Sequence, residues 1–118
     1  MQRPYSFRGQ SGQAYVFTAQ EAHGDWLRTP GIAFFAAPDG YGWRVIRMCS
    51  LRGREDDVQP LWALHDAERY GGDTVLLFEE ADPVRRAHIL ADLEAGLSPL
   101  WPTQASEVVE APALALAA

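Results

Sequence analysis

The stretch that decides the fold is Gly31-Ile32-Ala33-Phe34-Phe35-Ala36-Ala37-Pro38-Asp39-Gly40-Tyr41-Gly42-Trp43-Arg44-Val45-Ile46-Arg47-Met48-Cys49. Ile32 to Ala37 is rich in apolar and aromatic residues and reads as a buried strand. Pro38 to Gly42 reads as a hairpin turn, because Asp-Gly supplies the positive φ that tight hairpins need. Trp43 to Cys49 is then the partner strand. Its alternation is not clean: Trp43, Val45 and Arg47 fall on one side, and Arg44, Ile46 and Met48 on the other.

Upstream, Tyr5-Ser6-Phe7-Arg8 alternates apolar and polar, Gly9 to Gly12 is a turn, and Ala14 to Thr18 is a second strand. Residues 4–19 therefore predict another hairpin. Residues 20–30 read as a loop in which Trp26 and Leu27 tuck against the core. Downstream, Asp57 to Pro60 is a helix start, with an acidic cap and a proline in the first turn. That helix runs through Leu61, Trp62, Leu64 and His65 to Tyr70, and Gly71-Gly72 ends it. Thr74 to Phe78 is a buried strand. Asp82-Pro83 starts a second helix with an apolar stripe of Ile89, Leu90, Leu93 and Leu97, and Gly96 is expected to stop it. The predicted order is ββ-ββ-α-β-α, an α+β domain with the helices on one side of a small antiparallel or mixed sheet. Trp101 is expected to pack back on this domain, residues 1–102, and residues 103–118 read as an Ala-rich flexible tail.

The 118 residues allow one domain with a core of its own. A single cysteine, Cys49, excludes an internal disulfide and any cysteine-based zinc site, and reads as a buried apolar residue. No long apolar run predicts a membrane span or a signal peptide, so a cytoplasmic protein is expected. The net charge of -6 argues against sequence-independent nucleic-acid binding by the whole surface. Every fixed cation is an arginine, which reads as base composition rather than recognition.

The order and spacing of residues 31–102 resemble the GIY-YIG nuclease domain, with residues 4–19 as an added hairpin. The residues that carry the resemblance are Gly31-Ile32-Ala33, Arg47-Met48-Cys49, Arg85 and Arg86, Asp92-Leu93 and Ser98-Pro99. It implies a fold of that type and, in an intact member, metal-assisted phosphodiester cleavage. This chain departs from the family where the chemistry lies. The two motif tyrosines map to Ala33 and Arg47, the motif glycine to Cys49, and the metal-holding glutamate to Leu90. The arginine expected after the motif glycine falls on Asp57, with Arg54 nearby, and His65 resembles a relic of the family's histidine. Leucine offers no oxygen to a cation, and each lost preorganised group removes transition-state stabilisation. The expectation is a domain that has lost catalysis, with no metal and no cofactor.

Arg44, Arg47, Arg52 and Arg54 share one segment with no acid between them, and Trp43 and Trp62 are placed to stack beside it. This reads either as a patch for phosphate or an acidic partner, or as a solvated face paired with Glu55, Asp56 and Asp57. The chain ends in Ala115-Leu116-Ala117-Ala118, which resembles the end of the bacterial trans-translation tag recognised by AAA+ proteases. Leu116, Ala117 and Ala118 are thus a candidate degradation signal, with Ala-rich low complexity as the other reading. The favoured function is a bacterial protein-binding, regulatory module. A DNA- or RNA-binding accessory and a residual structure-specific nuclease are the alternatives.

Overall fold

The computed structural model describes residues 3–99 except His23 and Tyr41. Five strands and two α-helices follow the expected order. They are β1 (Pro4–Arg8), β2 (Ala14–Gln20), β3 (Gly31–Asp39), β4 (Gly42–Leu51), α1 (Gln59–Glu68), β5 (Thr74–Glu79) and α2 (Pro83–Leu97), with a short 3-10 turn at Trp26–Arg28. The expectations for Trp101 and for residues 103–118 lie outside the described residues.

The sheet order is β1-β2-β5-β3-β4, and every pairing is antiparallel. Each sequence hairpin forms, but β5 inserts between them, pairing Thr18 with Leu77 on one side and Ala33 with Leu77 on the other. β3 is thus covered along both edges. Seven consecutive residues, Gly31 to Ala37, are buried, as a central strand requires when both faces are also covered.

Both faces are covered because the helices lie on opposite sides of the sheet, not on one side as expected. Ala33, Phe35, Val75 and Leu77 pack with Ala63, Leu64 and Ala67 of α1. Ile32, Phe34, Ala36 and Leu76 pack with Ile89, Leu90 and Leu93 of α2. Strand side chains alternate faces, so the unbroken apolar run of β3 needed two covers, one per face. The α2 side is the aromatic one. Phe17 stacks on Phe34 with centroids 4.2 Å apart, and Phe7 meets both edge-on. Tyr5 on edge strand β1 touches Trp43 on the opposite edge strand β4, centroids 5.2 Å apart, so the sheet curls around α2.

A β-bulge explains the unclear alternation of β4. Phe35 pairs with Arg47 and Ala36 with Val45, leaving Ile46 as the extra residue. Ile46 packs on the α1 side, and Arg47 reaches Asp66 of α1, so two successive side chains share a face. Val45 and Met48 then both face α2.

Local signals set the helix ends. The Asp57 carboxylate accepts from the N–H of Gln59, the first residue of α1, with Pro60 behind it. At the other end Gly71 takes φ 87°, and the N–H groups of Gly71 and Gly72 donate to the carbonyls of Glu68 and Ala67. Asp82 caps α2 by accepting from Val84 N–H, 3.0 Å away. Gly96 does not stop α2. The helix continues to Leu97, and Ser98 takes the left-handed conformation at φ 50°. Gly96 instead lets the turn after β1 come close: a Cβ there would lie 2.6 Å from the Gln10 nitrogen.

Candidate functional site

The four positions that the resemblance set against catalytic groups, Ala33, Arg47, Cys49 and Leu90, are not together. Ala33 and Cys49 are buried in the α1-side core, and Arg47 lies on that side against Asp66 at 3.5 Å. Leu90 is buried on the other side of the sheet, among Phe17, Phe34 and Met48. A sheet separates it from the other three, so the four make no common pocket here. Cys49 is buried, and its thiol donates to the Ser50 carbonyl at 3.4 Å.

The arginine segment is also dispersed. Arg52 pairs with Asp57 at 3.2 Å and Arg54 grips Asp56 through two nitrogens. Arg28, from the loop before β3, reaches Glu55 at 2.6 Å. The three acids after the segment each hold an arginine, and Arg54 holds the Asp56 carboxyl below the usual carboxylate range. This is the solvated, self-paired face. Arg44 lies at the far end of β4 and forms no ion pair among the described residues.

Trp43 and Arg44 border a cavity of about 370 Å³. It is lined by Phe7, Asp39, Trp43, Arg44, Val45, Leu97 and Ser98. It sits where the tip of the β3–β4 hairpin meets the C-terminal end of α2.

Trp62 and His65 lie on the outer face of α1, where their rings meet edge-on at 6.1 Å. Trp62 is 65% exposed, Leu61 45%, and Val58, just before the helix, 55%. These positions are spaced as one helical stripe. The inner face of α1 carries Pro60, Ala63, Leu64 and Ala67, all buried. The helix is therefore apolar on two faces, and the protein covers one.

Sequence reasoning missed a polar cluster joining the first hairpin to α2. The Asp92 carboxylate accepts from the Ser11 N–H at 2.8 Å, the Ser11 hydroxyl at 2.7 Å and the Tyr15 hydroxyl at 2.9 Å. The Asp92 carbonyl accepts from Gln10 N–H at 3.0 Å. The Ser11 donors, then Tyr15, hold the Asp92 carboxyl below its usual range. Burial pushes the Tyr15 phenol up, and the Asp92 carboxylate adds to that. Asp92 was legible only as part of a motif, because its partners are up to 81 residues away. This cluster binds element to element.

Arg86 is a buried polar anchor. Its guanidinium donates to the Ser50 hydroxyl and to the Glu80 and Ala81 carbonyls at 3.1 to 3.2 Å. Among the described residues no group of three His, Cys, Asp or Glu side chains is placed to hold a metal ion, and no helix is long and apolar enough to cross a membrane. Leu116, Ala117 and Ala118 lie outside the described residues. Compared with known proteins, the chain matches no family model, no curated protein and no solved structure.

Proposed function

We propose that this chain is a non-catalytic protein-binding module, GIY-YIG-like in element order, that docks a partner on the outer face of α1. The observation that carries this reading is the exposed stripe of Val58, Leu61, Trp62 and His65 on a helix whose opposite face already fills the core. Large apolar side chains grouped on an exposed face mark an interaction site more often than scattered ones do. Exposed tryptophan at the centre of such a stripe is the usual anchor of a protein interface. The net charge of -6 favours a partner with basic flanks. The occupant is therefore an amphipathic helix with an apolar stripe and lysine or arginine beside it.

The loss of catalysis is supported by hydrocarbon at Ala33 and Leu90 and by the sheet between them. The resemblance to the nuclease then rests on element order. The nucleic-acid alternative is weakened by the pairing of Arg52 and Arg54 with their own acids.

A synthetic helix with leucine at i, i+3, i+4 and i+7 and lysine elsewhere serves as the probe. Titrated into the full chain, it is expected to shift amide signals of residues 58–69 and little else. Trp62→Ala and Leu61→Asp should abolish the shifts while leaving the melting temperature in place. Shifts spread over the sheet, or equal binding by Trp62→Ala, would refute the docking face. Cleavage of branched or nicked DNA with Mg²⁺ or Mn²⁺ would refute the non-catalytic reading independently.

A further inference from the structure

We infer that the cavity between the β3–β4 hairpin tip and the C-terminal end of α2 is the side-chain pocket of a second binding site. There an extended peptide adds as a strand to the free edge of β4 and inserts a phenylalanine or leucine. The site does not depend on the α1 docking face, which lies on the other side of the sheet.

Side-chain direction sets the chemistry of the cavity. Trp43 and Val45 project to the α2 side, where Phe7 and Leu97 also pack. Ala37 pairs with Arg44 and Asp39 with Gly42, and alternation from Ala33 and Phe35 puts the Asp39 and Arg44 side chains on the α1 side. Those two residues therefore border the cavity with main chain, and its side-chain lining is apolar apart from Ser98. Its volume of about 370 Å³ is ample for one large aliphatic or aromatic side chain. The indole of Trp43 is held by the edge-on ring of Tyr5, so the wall is ordered before a ligand arrives.

The main chain beside the cavity supplies the polar half of the site. β4 is an edge strand, with β3 on one side only. Opposed residues in an antiparallel pair alternate between exchanging N–H and C=O bonds and not exchanging them. Pro38 has no N–H, so the Pro38–Trp43 pair is one that does not. The N–H and C=O of Trp43 thus point away from β3, off the free edge, and no other described element takes them. A donor and an acceptor on one extended residue match the C=O and N–H of one residue in an incoming strand. Directly opposed residues share a face, so the side chain of that incoming residue falls on the α2 side, beside Phe7 and Leu97. Main-chain bonds hold the strand and the cavity selects the side chain. A carboxylate placed there would lose its water without gaining a partner.

The test is an NMR titration of the full chain with the peptide acetyl-Ala-Phe-Ala-amide. Saturable shifts of the Trp43 amide and indole N–H are expected, while the Trp62 indole stays still. Acetyl-Ala-Ala-Ala-amide should bind at least about tenfold more weakly, the worth of burying a large apolar side chain. Methylation of the phenylalanine nitrogen removes the donor to the Trp43 carbonyl and should weaken binding about fivefold, the worth of one hydrogen bond. Acetyl-Ala-Glu-Ala-amide should leave Trp43 unmoved. Leu97→Trp fills the cavity and should abolish the response with the melting temperature kept; if that variant does not fold, the peptide series decides. The proposal is overturned if the phenylalanine peptide leaves Trp43 unmoved, or if the alanine or the methylated peptide binds as well. Trp43 shifts that follow protein concentration without peptide would assign the edge to a second copy. Binding gained only after Leu100 and Trp101 are changed to serine would assign the cavity to this chain's own residues. Either result also overturns it.

Discussion

The Tyr15 hydroxyl donates to the Asp92 carboxylate across 2.9 Å, joining β2 to the middle of α2. With Ser11 on the same carboxylate, this contact ties the first hairpin to the body of the fold. Because Asp92 is held below its usual range, folding favours its ionised form. That stability is present above the unfolded-state value, about 4 for a carboxylate, and is lost as pH falls through the lowered native value. Asp92→Asn should lower the melting temperature at pH 7 by a few degrees. It should also flatten the acid limb of stability against pH, measured by thermal melts from pH 2 to 7. An unchanged acid limb would show that Asp92 is not the group responsible.

Tyr15 makes the complementary case at high pH. Its phenol is raised, so its contribution is complete below the unfolded-state value near about 10 and lost as pH rises through the native one. Tyr15→Phe is expected to be less stable than the parent at pH 7 and to lose less on going to pH 11. Denaturant melts at the two pH values check this.

Gly96 should behave against the ordinary helix scale. In an exposed helix interior, alanine for glycine usually stabilises by about 1 kcal/mol. Here the new Cβ would press on the backbone of Gln10 and Gly9. Gly96→Ala is expected to destabilise by about 1–3 kcal/mol, as overpacking does. Urea unfolding reads the sign directly.

The neighbours Arg85 and Arg86 should differ sharply. Arg86 is 7% exposed and bridges β4 and the β5–α2 loop, whereas Arg85 makes one exposed pair with Glu80. Removing a buried, multiply bonded guanidinium leaves carbonyls without a donor, so Arg86→Ala should cost about 3 kcal/mol. Arg86→Lys should recover only part of that, since an ammonium cannot reproduce the planar fork. Arg85→Ala should cost under about 0.5 kcal/mol. Equal effects at the two positions would contradict the burial difference.

A last pair separates core from docking face. Phe34 is fully buried and stacked on Phe17, so Phe34→Ala should cost about 3–5 kcal/mol. Trp62→Ala should change stability by less than about 0.5 kcal/mol, because Trp62 is mostly in solvent. A large loss at Trp62 would mean that the ring supports the fold instead of a partner.

Local chemistry was legible and long-range pairing was not. Asp39-Gly40 fixed the β3–β4 turn, with Gly40 at φ 63°, and Asp82-Pro83 fixed the start of α2. Trp26 was read as tucked in, and it is 2% exposed with its indole donating to the Ala22 carbonyl. Gly96 misled because glycine marks both helix ends and close approaches, and only the neighbouring chain distinguishes them. The phase of β4 was hidden by one extra residue, Ile46, which no periodicity announces. The one-sided placement of the helices failed for a related reason. Alternation assigns β3 side chains to two faces but does not say which helix covers which. Of the candidate site, the self-paired arginines were legible because their acids are near in sequence. The Asp39–Arg44 cavity was not, since Phe7 and Leu97 come from opposite ends of the described chain.

The insertion of β5 between the two hairpins has a consequence for biosynthesis. A ribosome that has released only the first seventy residues has made two ribbons that, among the described residues, share no strand pairing. Isolated two-stranded ribbons are marginal in water. The strand that zips them together emerges after both, and the helix that seals the aromatic side follows it. The nascent polypeptide therefore gains its sheet in one late step, and an arrest before Thr74 leaves sticky halves for chaperones to hold.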